Sequence, residues 1–223
     1  MRWADYFDDS DLFNLPGNTR RLQSATAELT KYDIPFTIWP AIKKENGKEG
    51  LNLTMIALLE NALQNNHKRI LVFEDDLKFI REPALIMPLC VDQLIKTPWD
   101  LFYLGINMDN AQNLFTGFID KNLLSLEFGY ATHALAYNRT VIPVILDAIK
   151  RYTSRKPSFP YDSLITNIIH RNYNCYSCFP MLATQADGWS DIENKNSTYE
   201  YLEQRYYDSV KHLLGVNGVP LSY

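Results

Sequence analysis

The stretch Arg69-Ile70-Leu71-Val72-Phe73-Glu74-Asp75-Asp76 decides the predicted fold. Its apolar run is typical of a strand that is buried on both faces in a parallel sheet. Three carboxylates follow directly, at the strand end where open α/β sheets bind their ligands. Neighbouring carboxylates at such a place repel one another and lose solvation. The pattern therefore favours a site for a divalent cation and a diphosphate over a solvated turn.

Helical and strand patterns alternate on both sides of this stretch. Apolar residues at helical spacing predict helices, whereas short apolar runs bounded by turn residues predict strands. We predict helices over 19–32, 52–64, 141–151, 161–171 and 199–214, strands over 11–15, 35–39, 69–73, 100–105, 130–137 and 175–179, and loops over 43–50, 106–124 and 154–160. The alternation predicts an α/β fold, with a mixed, mostly parallel sheet and helices on both faces.

Length and charge narrow the class of protein. A chain of 223 residues favours a single domain. A net charge of −4 counts against a protein that binds nucleic acid by neutralising phosphates. The N-terminus carries no apolar signal segment, and no apolar run approaches the roughly 20 residues that span a membrane. We therefore expect a cytoplasmic protein without a membrane span, and we predict no particular oligomeric state.

The three cysteines indicate no disulfide framework. Cys175 and Cys178 form a C-x-x-C pair, but it lies in a predicted strand rather than at the start of a helix. The sequence holds no second pair that would complete a zinc site. We expect reduced, half-buried thiols rather than a redox centre.

Six short blocks follow one another along the chain. They are Phe13-Asn14-Leu15 with Arg20-Arg21, Ile70 to Asp76, Pro98 to Gly105, Ala131-Thr132-His133-Ala134, Pro160-Tyr161-Asp162, and Pro180 to Gln185 with Ser190-Asp191-Ile192. In this order the blocks resemble glycosyltransferase family 25, the lipooligosaccharide and collagen galactosyltransferase type. They also resemble a related GT-A enzyme of a viral or bacterial surface-glycan pathway.

The resemblance implies a single GT-A domain, with a nucleotide-sugar half over about 1–105 and an acceptor half over about 106–223. It implies a UDP-sugar donor, Mn²⁺ or Mg²⁺, a glycan or glycoprotein acceptor, and inversion at the anomeric carbon. Asp76 and Glu74 would hold the metal. Residues implied to contact the donor are Asn14, Leu15, Arg20, Arg21, Glu74, Asp75, His133, Gln185, Ser190 and Asp191.

Inversion needs a base that takes the proton of the acceptor hydroxyl, and Asp162 is the candidate. Its alternative role is that of an N-cap or first-turn carboxylate, which the helix dipole favours. For His133 the alternative is a hydrogen-bonded core histidine. Gln185, Ser190 and Asp191 could equally form an ordinary polar turn around Trp189, whose indole offers a face for sugar stacking.

Two other functions fit parts of the pattern. An acidic strand end also builds the two-metal sites of phosphohydrolases and nucleases, although the further Asp and His residues that such sites gather are scattered here. In a non-catalytic sugar-binding module, the acidic triplet and Asp162 would be surface charges.

Overall fold

The computed structural model describes residues 2–108, 115–190 and 195–217. Eight strands form its main sheet: β1 (Asp9–Asn14), β2 (Thr37–Pro40), β3 (Arg69–Glu74), β5 (Leu101–Tyr103), β6 (Phe115–Asp120), β7 (Leu123–Leu126), β8 (Ala134–Asn138) and β9 (Cys175–Cys178). Their spatial order is β2-β1-β3-β8-β5-β9-β7-β6. Strands β7 and β8 run against the other six. The predicted mixed sheet with one main strand direction is confirmed.

The remaining four strands form two small two-stranded sheets. Strand β4 (Leu77–Phe79) pairs antiparallel with β10 (Ala183–Gln185), and β11 (Gly188–Ser190) pairs with β12 (Lys195–Ser197). The β4–β10 ribbon starts just after the acidic triplet. It therefore brings the late segment of the chain next to the end of β3.

Helices cover both faces of the sheet, as predicted. They are α1 (Thr19–Lys31), α2 (Gly47–Gln64), α3 (Pro83–Leu94), α4 (Ile142–Thr153), α5 (Tyr161–Leu164) and α6 (Tyr201–Asn217). One core packs α1 and α3 against the sheet through residues such as Leu29 and Met87. The other core packs α2, α4 and α6 against the opposite face, with Leu58, Ile149 and Tyr206 buried.

Several predicted boundaries were wrong. Helix α2 begins inside the predicted loop 43–50, because the Asn46 side chain caps it by accepting from the Lys48 and Glu49 backbone N–H groups. Strand β8 begins four residues after the start predicted at Tyr130. The predicted helix 161–171 is the short α5, followed by a π-helical turn over Ile165–Ile169.

The connection predicted over 106–124 is not a loop throughout. Its described second part forms β6 and the start of β7, which pair as an antiparallel hairpin at the sheet edge. Strand β8, from the second half of the chain, lies between β3 and β5. Both halves therefore share one sheet.

Cys175 and Cys178 point to opposite faces of β9, one into each core. Both are free and fully buried rather than half-buried. Burial raises the pKa of each thiol, that of Cys178 to about 12. Thiols on opposite faces of one strand cannot act together, which agrees with a structural role for the pair.

Across residues 2–108, 115–190 and 195–217, no helix combines the length and the apolar character that crossing a bilayer requires.

Candidate functional site

The acidic triplet lies where the carboxyl ends of β1 and β3 meet. These strands are parallel neighbours, and Phe13 is in register with Glu74. Asn14, the last residue of β1, donates from its Nδ2 to Oδ2 of Asp75 at 2.6 Å. The sheet thus joins two of the predicted blocks at the edge where parallel sheets bind ligands.

A single guanidinium bridges two of the three carboxylates. Nη2 of Arg21, in the first turns of α1, lies 2.5 Å from Oδ1 of Asp75 and 2.9 Å from Oδ2 of Asp76. Gln185 adds a bond from its Nε2 to Oδ2 of Asp76 at 3.2 Å. The cation offsets the repulsion that the sequence pattern predicted.

Glu74 differs from its two neighbours because it is buried in the sheet. Burial, followed by the charge of Asp76, raises the pKa of Glu74 to about 8. The Thr132 hydroxyl donates to Oε1 of Glu74 at 2.7 Å and, together with Arg21, partly opposes that rise. The strand end therefore holds one carboxyl group that favours its proton beside two that are paired with Arg21.

One oxygen of the triplet fits a metal ligand. Oδ1 of Asp76 is buried and makes no hydrogen bond with a described residue. Across residues 2–108, 115–190 and 195–217, no group of three His, Cys, Asp or Glu side chains is placed to hold a metal. A hard cation needs only one or two carboxylates when water and substrate phosphate supply its other ligands. Asp76 meets that requirement, with Glu74 as the second carboxyl group nearby.

Three adjoining cavities surround this edge, and Ser190 lines all of them. The α1 cavity, of about 650 Å³, is lined by residues that include Arg20, Arg21, Asp76 and Trp189. The β2–α2 cavity, of about 290 Å³, is lined by the chain from Ala41 to Gly47 and by Asn14, Leu15, Asp75 and Asp76. The Asp162 cavity, of about 380 Å³, is lined by Glu74, Gln185, Tyr130, Thr132, Lys48 and Asp162.

Asp162 is the second residue of α5, and Pro160 occupies the N-cap position. Of the two positions in the structural alternative, the structure therefore shows the first turn and not the N-cap. Its Oδ1 accepts from the Ser163 backbone N–H at 2.6 Å. Burial raises the pKa of Asp162, while hydrogen bonds from Ser163 and from the Ala131 backbone, and the charge of Lys48, lower it.

Ala131 adopts a positive φ of 71°, a conformation that a residue with a Cβ rarely takes. Its backbone faces the Asp162 carboxylate and lowers the pKa of that group. Strained residues of this kind persist where the surrounding structure holds them, and they cluster at functional sites. The sequence carries no signal for the backbone conformation of Ala131.

His133 lies behind the acidic turn and lines none of the three cavities. Its ring is fully buried, and burial lowers its pKa, partly opposed by the charge of Asp76 and the Ala183 backbone. Neither ring nitrogen makes a well-aligned hydrogen bond with a described residue. The structure thus separates His133 from the residues that can touch a ligand.

The other predicted donor-contact residues that the structure describes lie around the three cavities. Leu15, Arg20, Arg21, Asn14, Gln185 and Ser190 all line at least one cavity. Asp191 lies outside the described residues. Trp189 is 51% exposed at the α1 cavity, and its carbonyl accepts from Nη1 of Arg21 at 3.4 Å.

Lining residues that sequence reasoning missed include Lys43, Lys48 and Tyr199. Lys43 and Lys48 lie in or next to the predicted loop 43–50, where a lysine is usually a solvated charge. Nothing in the sequence distinguished them from the other lysines.

No family model and no curated protein match the chain. Solved structures similar to it include A197 from STIV, at 14% identity over 84% of this chain and 92% of that one, with a TM-score of 0.48. A glycosyltransferase involved in glycosylation of the major capsid of PBCV-1 is 9% identical over 83% of this chain and 96% of that one, with a TM-score of 0.47. A putative glucose-1-phosphate thymidylyltransferase from Bacillus anthracis is 12% identical over 79% of this chain and 89% of that one, with a TM-score of 0.43. The family 25 resemblance therefore stays a prediction.

Proposed function

We propose that this chain is a GT-A glycosyltransferase that moves a hexose from a UDP-sugar to a glycan or glycoprotein acceptor. The observation that carries the proposal is the placement of two kinds of carboxylate at one sheet edge. The Asp75–Asp76 pair lines the α1 and β2–α2 cavities beside Arg21, whereas Asp162 lines the adjoining Asp162 cavity. Transfer between two substrates needs such neighbouring sites.

The donor fits the side of the acidic turn. The α1 cavity carries the cations Arg20, Arg21 and Lys43 beside the carboxylates of Asp75, Asp76 and Asp187. Guanidinium groups bind diphosphate oxygens through charge-assisted hydrogen bonds. Because these cations and carboxylates balance, a divalent cation on Asp76 would supply the positive charge that matches the diphosphate of the donor.

The metal of the proposed enzyme would be Mg²⁺ or Mn²⁺, held by Asp76 and Glu74, and Glu74 would release its proton when the ion binds. When bound, such an ion stabilises the negative charge that grows on a departing diphosphate. The chain itself orients Asp76 through Arg21 and Gln185.

Asp162 would act as the general base on the acceptor side. The Asp162 carboxylate would take the proton of the acceptor hydroxyl as that oxygen bonds to the anomeric carbon. The bond between that carbon and the phosphate oxygen would break on the opposite face, so that UDP leaves with the electron pair and the configuration inverts. The raised pKa of Asp162 improves its match to a base that works near neutral pH. The Ser163 backbone N–H fixes the carboxylate, and the Ala131 backbone favours its charged form.

The test is a release assay with a panel of UDP-sugars, Mn²⁺ and glycan acceptors. Slow UDP release that accelerates with one sugar and one acceptor class supports the proposal. Phosphodiester cleavage without sugar preference would instead support a metal-dependent phosphohydrolase or nuclease. Sugar binding without any turnover would support a non-catalytic module, and either outcome contradicts the proposed function.

A further inference from the structure

The segment 161–170, which carries Asp162, is bonded at both ends to tyrosines of the central sheet. At its start, Oη of Tyr161 donates to Oη of Tyr137 on β8 at 3.1 Å. At its end, Oη of Tyr103 on β5 lies 2.8 Å from Nε2 of His170. All four side chains are buried.

A third bond ties the middle of the segment to the chain that contacts Asp162. The Thr166 hydroxyl donates to the Gly129 carbonyl at 2.5 Å. Gly129 lies two residues before Ala131, whose backbone lowers the pKa of the Asp162 carboxylate. The loop that enters the segment is held as well, because Nδ2 of Asn52 donates to the carbonyls of Pro157 at 3.0 Å and Phe159 at 2.8 Å.

These polar contacts are not needed for packing. A phenylalanine would fill nearly the same space as Tyr137 or Tyr103 without a hydroxyl that must find a partner in the core. Burial keeps both phenols protonated by raising their pKa, and it lowers the pKa of His170 to about 4, so the imidazole is neutral. The bonds are therefore neutral and directional, which suits a role in geometry.

We propose that Tyr137 and Tyr103 are positioning residues that aim the Asp162 carboxylate at the acceptor by holding both ends of the segment 161–170. The role rests on the proposed function of Asp162 as the base. A shift of about 1 Å in a catalytic group costs roughly 100-fold in rate. Neither tyrosine lines the Asp162 cavity, so each acts through the backbone of the segment.

The test compares Tyr137→Phe and Tyr103→Phe with Tyr206→Phe in the full chain. Tyr206 is a matched control, since its buried hydroxyl donates to the Cys178 carbonyl at 2.6 Å, away from the segment. The first two variants should lower kcat about 10- to 100-fold with little change in donor KM. The control should lose comparable stability and keep kcat. Equal kcat losses in all three variants would overturn the proposal.

Combination with Asp162→Asn gives a second readout. If the tyrosines act through Asp162, adding Tyr137→Phe to Asp162→Asn should lower the residual rate no further. Multiplying losses would contradict the positioning role.

Hydrogen exchange separates this proposal from the proposed function. Tyr137→Phe and Tyr103→Phe should speed exchange across 161–170, and Tyr206→Phe should not. If exchange across 161–170 is unchanged in both variants, the positioning role is contradicted even when the protein is an active transferase. If exchange increases as expected but the unaltered protein transfers no sugar, the proposed function is contradicted instead.

Discussion

At the residue scale, Asp162 combines a fixed orientation with partial burial. Its carboxylate accepts from the Ser163 backbone N–H and borders the Asp162 cavity, and the Ala131 backbone lowers its pKa. A first-turn carboxylate that only served the helix dipole would not need the strained backbone of Ala131 beside it. A single variant, Asp162→Asn, can therefore distinguish a chemical role of this carboxylate from a structural one.

Asp162→Asn should keep donor affinity and lose transfer by roughly 10²–10⁴-fold, because the amide keeps the shape but accepts no proton. The loss should appear in kcat rather than in donor binding. Steady-state kinetics and UDP titration of the variant check this. Transfer within a few-fold of the unaltered protein would place the base elsewhere.

A second residue-scale prediction concerns Asp11, in the middle of β1. Burial, with a smaller effect of Asp9, raises its pKa from 3.8 to about 7. The folded state thus binds a proton that the unfolded state releases between these values. The free energy of unfolding therefore falls as pH rises through that window.

Asp11→Asn should remove this dependence. The variant should gain about 2–4 kcal/mol in free energy of unfolding near pH 8 and nothing below pH ~4. Urea denaturation across pH measures the difference. A gain of equal size at both ends of the range would contradict the assignment to Asp11.

How much of the site follows from sequence depends on the residue. Three carboxylates after an apolar strand predict a ligand-binding edge from the sequence alone. The partners of Glu74 and Asp162 could not be found this way, because Thr132 and Ala131 reach them only through the fold. For His133 the predicted strand was wrong, because β8 begins at Ala134, and the sequence does not indicate that the ring is buried behind the acidic triplet.

At the scale of elements, the chain just after β5 lies directly against the start of β10, where the Leu104 carbonyl accepts from the Ala183 backbone N–H at 3.0 Å. A Cβ on Gly105 would lie 1.9 Å from the Ala183 carbonyl oxygen and 2.5 Å from Nε2 of His133. The Ala183 backbone belongs to the ribbon that carries Gln185. Gly105 thus lets the ribbon approach the acidic turn.

Gly105→Ala should lower the free energy of unfolding by about 1–3 kcal/mol, since neither backbone nor buried ring can move away cheaply. Gly117→Ala is the matched control, because a Cβ at Gly117 meets nothing within 4 Å. Chemical denaturation of both variants measures the effect. A Gly105 variant as stable as the Gly117 variant would show that the contact is not tight.

Helices and strands could be predicted from the sequence where their apolar residues repeat at a regular spacing. Strand β3 and helices α1 and α4 were found because their apolar residues repeat at one spacing. Sequence analysis assigned no element to α3, which carries Pro88 inside and large apolar residues on its exposed side, including Leu85 at 71% exposure. Those features hide the helical period.

At the scale of the molecule, one mixed sheet gathers ligand-facing groups from the whole chain. Arg21, the acidic turn, Asp162 and Ser190 meet at the carboxyl edge of the strands although they span most of the sequence. No one of these groups alone would form a ligand site. We propose that together they bind a nucleotide-sugar diphosphate with a divalent cation on Asp76.

Calorimetric titration of UDP into the unaltered protein and into Asp76→Ala, each with Mn²⁺ and with a chelator, tests that claim most directly. We expect the unaltered protein to bind UDP more tightly with Mn²⁺. The variant should lose that metal-dependent gain while its free energy of unfolding stays the same or rises. Its lost bonds to Arg21 and Gln185 are offset because a buried oxygen without a hydrogen-bond partner among the described residues, and a charge that acts on Glu74, are gone. Equal UDP affinity in both proteins, with the same response to Mn²⁺, would contradict the claim.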